Sequence, residues 1–209
     1  MAGGVILVFV VLAVVHLVAC ATAKESLRRA TKPLLMPVLV VFYLVAASPV
    51  SPLVVLALGL ATVGDALLLG QTSRRFFLGG VAFVLGHGLY VALFLRGVPL
   101  RGWAGLVAAV VVLVSLWVYA KVRAGLGGLL PGFIAYFALL TALCVAAYAR
   151  FAALGWAWFP AMLGAAAFYV SDTLLSLDRY DRPVRHGTFW IMATYCLAQS
   201  LIVASFAWA

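Results

Sequence analysis

The sequence predicts an all-α integral membrane protein. Its 209 residues are 67% hydrophobic and only 9% charged, and long apolar runs recur along the chain. A soluble domain normally carries about 25% charged residues. Because this chain has far fewer, we expect most of its outer surface to contact lipid.

Eight apolar segments approach the length of about 20 residues that a membrane-spanning helix requires. They are residues 3–22, 33–48, 52–71, 76–95, 102–120, 130–149, 155–176 and 187–207. The first lacks a preceding basic region, so we interpret it as a spanning helix rather than a signal peptide. The second opens with Pro33, a residue favoured in the first helical turn. The short connections predict a single integral membrane domain over residues 1–209.

The basic residues predict the orientation of the chain. Eleven of the fourteen Lys and Arg residues follow odd-numbered segments, whereas the other side has only Arg96, Arg101 and Arg150. Cytoplasmic loops are enriched in Lys and Arg. We therefore expect the odd-numbered connections in the cytoplasm and both termini outside, in the inner membrane if the organism is bacterial. The same clustering argues against a nucleic-acid partner, despite the net charge of +9.

A faint internal similarity suggests two parallel repeats of four helices. The third segment contains GDALLLG and the seventh SDTLLSL, while the fourth ends HGLYVALF and the eighth QSLIVASF. Such duplication is known among membrane proteins. Leu and Val are common here, so chance similarity is the alternative.

Two carboxylates, Asp65 and Asp172, lie inside apolar segments. A charge near the bilayer centre costs roughly 2.5–3.5 kcal/mol on insertion scales, so such residues usually face the protein interior and have a function. Both lie about six residues from the predicted cytoplasmic ends of their helices, so we expect one depth and one shared cavity. The alternative is a packing role, in which each caps a helix or pairs with an arginine.

The other three acidic residues are predicted to be solvated loop charges. They are Glu25, Asp178 and Asp181, which lie among the basic connections.

Polar and aromatic residues occupy one face of the fourth segment. Phe83, His87, Tyr90 and Phe94 follow the i, i+4, i+7, i+11 spacing of a helix. His87 shares this face with Tyr90, so two alternatives are open for it: a role in binding substrate or water, and a purely structural role. His16 is interpreted as structural and His186 as part of an interfacial loop.

Further candidate binding residues lie in the second half of the chain. Tyr195 and Gln199 are spaced i, i+4, Phe168 lies one turn before Asp172, and Tyr136 is in the sixth segment.

Lys32 differs from the other cations because Pro33 places it at a predicted helix start. A cation near the lipid headgroups can hold a phosphate. The alternative is a lysine whose stem lies in apolar surroundings while its ammonium reaches water.

Several other chemistries lack the residues they require. A zinc site needs three or four ligands, whereas Cys20, Cys144 and Cys196 are scattered and are interpreted as core residues. A metal site of His87 with the two aspartates is less favoured, so no metal or other cofactor is predicted. No nucleophile elbow, P-loop or dinucleotide motif occurs.

Five stretches of the chain stand out together: TKPLLMP (31–37), GDALL (64–68), FVLGHGLY (83–90), SDTLLSL (171–177) and YCLAQSLI (195–202). In this order and spacing they resemble the YhhN-like family of lysoplasmalogenases. The resemblance covers nearly the whole chain. It implies a hydrolase that cleaves the vinyl-ether bond of lysoplasmalogens, giving a fatty aldehyde and a glycerophospho-head group. A related lysolipid remains an alternative substrate.

Vinyl-ether cleavage needs a protonated acid, a group that stabilises an oxocarbenium ion, and a base for water. Paired carboxylates in a poorly solvated site can serve these roles, as they do in glycoside hydrolysis. We therefore expect one of Asp65 and Asp172 to be the acid and the other to stabilise the cation. His87, Tyr90, Tyr195 and Gln199 would then orient substrate or water, Lys32 would bind the phosphate, and Phe83 and Phe168 would line the alkenyl chain.

Two other function classes compete with the enzyme. A small proton-coupled transporter would use the same two aspartates, and helix breaks near the membrane midplane would favour it. A structural or regulatory membrane protein would leave both aspartates unexplained.

Overall fold

The computed structural model describes residues 1–70, 72–100 and 102–208. Within these residues there is no strand, and the elements are eight α-helices: α1 Ala2–Ala21, α2 Glu25–Ala46, α3 Pro52–Leu68, α4 Ser73–Leu95, α5 Ala104–Leu126, α6 Leu130–Leu154, α7 Phe159–Tyr180 and α8 Gly187–Trp208. The prediction of an all-α protein is confirmed. The predicted end of the third segment, at residue 71, lies outside the described residues, as does Arg101.

The lengths and hydropathy of the helices support a multi-pass membrane protein. Among the described residues, six helical stretches are long and apolar enough to cross a bilayer, and α3 is a shorter apolar helix of 17 residues. One of the six stretches, Ala104–Leu154, contains both α5 and α6. These two helices pack against each other, so the chain reverses direction at the 3-10 turn Gly127–Leu129, where Gly127 has a φ of +50°. That all eight helices cross the bilayer stays a prediction.

Helix α2 begins at Glu25, eight residues before its predicted start. Pro33 and Pro37 therefore lie inside the helix, and the prediction that Pro33 opens it is wrong. Glu25 forms ion pairs with Arg28 and Arg29 one turn ahead, a spacing that stabilises helices. Prolines are tolerated in membrane helices because neighbouring groups satisfy the freed carbonyl oxygens.

Asp178 is not the solvated loop charge that the sequence predicts. It lies in the last turns of α7, and its Oδ1 accepts a hydrogen bond of 2.7 Å from the backbone nitrogen of Val184. This bond fixes the connection between α7 and α8. Asp181, which follows α7, is exposed as predicted.

The chain divides into two compact units. The first comprises Met1–Leu93 with Val203–Ala209, and the second Phe94–Ile202. In the first unit α2 packs against α1 and α3, and a Cβ atom at Gly64 of α3 would lie 2.7 Å from the Phe83 ring of α4. The parallel repeat and the single domain both stay predictions.

In the second unit α5, α6 and α7 pack against one another. A Cβ atom at Gly164 of α7 would lie 2.9 Å from the carbonyl oxygen of Ala198 in α8. Small residues let membrane helices approach this closely. Glycines therefore hold α7 against its neighbours.

We expect Gly125→Ala to destabilise the second unit. The added Cβ would lie 2.5 Å from the backbone carbonyl oxygen of Tyr180, so α5 and α7 would have to separate, at a cost of about 1–3 kcal/mol. Thermal unfolding in detergent measures the effect. Gly105→Ala is the matched control, because that glycine lies in the same helix with no atom within 4 Å of the added carbon. Equal melting temperatures for the two variants would contradict the packing described.

Candidate active site

Asp172 lies among the buried residues of α7, and the residue is only 7% exposed. Tyr136 of α6 donates a hydrogen bond of 2.6 Å from its hydroxyl to Asp172 Oδ2. This distance is at the short end of the range for hydrogen bonds between two oxygen atoms. Among the described residues no Lys or Arg nitrogen lies within 4.0 Å of this carboxyl group, so the alternative of an Asp172–arginine pair is not seen.

The backbone around Asp172 is held by contacts with α8. Ser171 donates a hydrogen bond of 3.0 Å to the carbonyl oxygen of Ile191. Phe168, one turn before Asp172, packs edge-on against Tyr195 with ring centroids 5.5 Å apart. Gln199, one turn after Tyr195, is buried. Together with Tyr136, four predicted binding residues thus lie in the same unit as Asp172, and Phe168 and Tyr195 are in direct contact.

Tyr169 and Ser115 form a polar contact that the sequence did not suggest. Their hydroxyl oxygens are 2.8 Å apart, and the Tyr169 hydroxyl also lies 3.2 Å from the carbonyl oxygen of Val111. Tyr169 lies one turn before Asp172, so helical spacing in the sequence could have identified it as a neighbour of that residue. Its partner in α5 is 54 residues away and has no such signal.

The second intramembrane carboxylate, Asp65, lies in the first unit and pairs with Lys32. The Lys32 ammonium is 3.5 Å from Asp65 Oδ1, and the two side chains are only 13% and 3% exposed. Lys32 therefore lies two turns inside α2 rather than at a helix start. The prediction from Pro33 is wrong on this point, and the packing alternative for Asp65 holds in part, because its partner is a basic residue.

The residue before Lys32 anchors α2 to α1. Thr31 Oγ1 donates to the carbonyl oxygen of Leu27 at 2.7 Å, and it lies 2.7 Å from His16 Nδ1. Since a hydroxyl has one hydrogen, His16 donates from Nδ1 to Thr31. His16 has a buried structural bond, as predicted, and it fixes the helix that carries Lys32.

The predicted face of α4 is buried. Phe83, His87, Tyr90 and Phe94 are each between 0 and 8% exposed, as their spacing predicts. The Tyr90 ring stacks on Phe206 with centroids 6.3 Å apart, and the rings of Phe83 and His87 are 6.2 Å apart. Roles for these residues in binding substrate stay predictions.

The two carboxylates differ in their distance from the helix ends. Asp65 lies three residues before the end of α3, and Asp172 lies eight residues before the end of α7. The expected equal spacing of about six residues is wrong, because α3 ends three residues earlier than predicted and α7 ends four residues later. Across the described residues, no three His, Cys, Asp or Glu side chains are grouped as metal ligands would be.

Comparisons with known proteins identify relatives of the chain. The sequence model of the YhhN family matches residues 27–206. Lysoplasmalogenase TMEM86A of Bos taurus is 33% identical over 151 residues, which cover 69% of this chain and 61% of the bovine protein. Lysoplasmalogenase TMEM86A of Homo sapiens is 31% identical over 165 residues, which cover 76% of this chain and 67% of the human protein. No solved structure matched the chain.

We expect Lys32→Met to destabilise the protein by about 3 kcal/mol, because it leaves the Asp65 carboxylate buried without its cation. The double variant Lys32→Met with Asp65→Asn should lose less than Lys32→Met alone. Thermal unfolding in detergent measures both. Lys24→Met is the control, because Lys24 is exposed at the start of the same helix. A double variant no more stable than Lys32→Met would contradict the pairing.

Proposed function

Because the chain belongs to the YhhN family, we propose that it is a membrane-embedded hydrolase that cleaves the vinyl-ether bond of lysoplasmalogen-type lysolipids. The bovine and human relatives, both named lysoplasmalogenases, support this reaction. The structural observation that carries the proposal is the buried carboxyl group of Asp172 with its hydrogen bond from Tyr136. The products are a fatty aldehyde and a glycerophospho-head group.

The chemistry requires a proton on carbon before the carbon–oxygen bond breaks. An acid protonates the alkene carbon remote from the ether oxygen, which leaves an oxocarbenium ion. Water adds to that ion and releases a proton, giving a hemiacetal. The hemiacetal then collapses to the aldehyde and the free hydroxyl of the glycerol, so that one water molecule is consumed for each bond cleaved.

The partners of the two carboxylates favour Asp172 as the acid. A carboxyl group must be neutral to donate a proton, and Asp172 has a neutral phenol as its partner, whereas Asp65 has the ammonium of Lys32. Tyr136 occupies Asp172 Oδ2, which leaves Oδ1 to carry and transfer the proton. Tyr136 thus positions the acid rather than reacting itself.

The transporter remains the less favoured function. Asp65 and Asp172 lie in α3 and α7, which continue as α-helices through both positions. The helix breaks that would favour a transporter are thus not seen in these two helices. The loop orientation predicted from the basic residues is retained in the proposal, with odd-numbered connections in the cytoplasm.

The reaction is tested with purified protein in detergent. We expect lysoplasmalogen to give a fatty aldehyde and a glycerophospho-head group, identified by mass spectrometry. The saturated 1-alkyl lysolipid should stay intact, because it has no alkene carbon to protonate. Equal turnover of both lipids, or turnover of neither, would contradict the proposal.

We expect Asp172→Asn to lower kcat by at least about 100-fold, because a positioned general acid typically contributes 100- to 10,000-fold. Tyr136→Phe should lower kcat about 5-fold, since the loss of a hydrogen bond between neutral groups costs about 1 kcal/mol. Aldehyde release measures both rates. Asp181→Asn is the control, because Asp181 is exposed just beyond the same helix. Wild-type kcat in Asp172→Asn would show that the acid lies elsewhere.

A double variant tests whether Asp65 takes part in the same reaction. If both carboxylates act in one chemical step, the double variant Asp65→Asn with Asp172→Asn should be only slightly less active than the less active of the two single variants. The losses of activity are not additive when two groups act as a unit. Residual kcat/KM of the three variants measures the coupling. Fully additive losses would assign Asp65 to a separate role, such as holding Lys32.

A further inference from the structure

The second unit contains an apolar groove between three of its helices. We call it the α5–α7 groove. It is formed by four valines of α5 between Val107 and Val114, by Cys144 and Tyr148 of α6, and by some of the residues of α7 between Met162 and Leu174, and its volume is about 380 Å³. Ligand pockets typically measure about 300–1,000 Å³. The groove is therefore large enough for a small ligand or a lipid chain.

The walls of the groove are suited to hydrocarbon. Four valines of α5 and several apolar residues of α7 form most of its surface. The polar hydroxyl of Tyr169 is already engaged by Ser115 and by the carbonyl oxygen of Val111. The groove thus offers mainly carbon atoms to whatever occupies it.

The groove is open to the side rather than enclosed. Cys144 and Tyr169 in its floor are only 8% and 7% exposed, whereas Val110 and Val170 at its edges are 51% and 46% exposed. Ala166, one turn before Val170 on α7, is also exposed. In a membrane protein such an opening faces lipid. A molecule dissolved in the bilayer can therefore enter without passing through water.

At one end of the groove, the lining residues of α7 are neighbours of the candidate acid Asp172 in the sequence. Thr173, which lines the groove, directly follows Asp172, and Tyr169 lies one turn before it. From Leu174 the groove follows α7 back to Met162. These thirteen residues span about 18 Å of helix, close to the roughly 15 Å hydrocarbon thickness of one leaflet.

We propose that the α5–α7 groove holds the hydrocarbon chain of the lysolipid substrate, with the vinyl-ether end at the level of Asp172 and the chain end near Met162. This inference rests on the proposed function and adds the element that selects chain length. The substrate enters from the bilayer through the side opening. The groove then places successive carbons of the chain along α7.

Ala166→Phe tests the proposal, because it adds a ring at the exposed edge of the groove without replacing a buried residue. We expect kcat/KM for long-chain lysoplasmalogens to fall about 10-fold relative to short-chain ones, a typical effect of lost space in an apolar pocket. The matched control is Ala109→Phe, since Ala109 is exposed on α5 and does not line the groove. An unchanged chain-length profile in an active Ala166→Phe enzyme would overturn the groove assignment and leave the proposed function intact.

A binding measurement is independent of turnover. A saturated 1-alkyl lysolipid with a diazirine at its chain end is irradiated with the wild-type protein in lipid nanodiscs. We expect labelling of the α5 and α7 residues that line the groove, and competition by excess unlabelled lysolipid. Labelling elsewhere, or labelling in the groove that excess lysolipid does not reduce, would mean that a bilayer lipid occupies it and would overturn the proposal. A wild-type protein inactive on every lysolipid would instead contradict the proposed function.

Discussion

The structure around the candidate site depends on one constraint: a carboxyl group among apolar helices needs a partner. Asp172 obtains it from Tyr136, across the contact between α6 and α7. Burying an unpaired polar group costs several kcal/mol, so this bond fixes how the two helices are aligned. It also leaves one carboxyl oxygen without that bond, which is what a proton donor requires.

Helix α7 connects the packing of the second unit with its proposed chemistry. Gly164 and Ser171 hold it against α8, Asp172 faces Tyr136, and a further set of its residues lines the α5–α7 groove. A shift of α7 would therefore disturb the acid and the proposed chain site together, which explains why close glycine contacts hold it in place.

The sequence was sufficient for the helices and for the buried face of α4, because both follow from apolar runs and from the 3.6-residue period. It misplaced the start of α2, since the charged first turns, from Glu25 to Lys32, have the composition of a loop. It assigned Asp178 to a solvated loop for the same reason. Helical spacing does not relate Tyr136 to Asp172, or Lys32 to Asp65, because each pair joins different helices. Only the packing of the helices in the structure shows that the members of each pair are in contact.

The most direct test of the central claim is the fate of the proton. Lysoplasmalogen is hydrolysed by the wild-type protein in D₂O, the aldehyde is reduced at once to the alcohol, and the configuration of the deuterated carbon is determined by deuterium NMR in a chiral medium. The account predicts one deuterium of a single configuration on the carbon next to the former aldehyde carbon, because a positioned acid delivers it to one face of the alkene. Equal amounts of both configurations would show that an enol leaves the protein and takes up deuterium in solution, and would contradict the account.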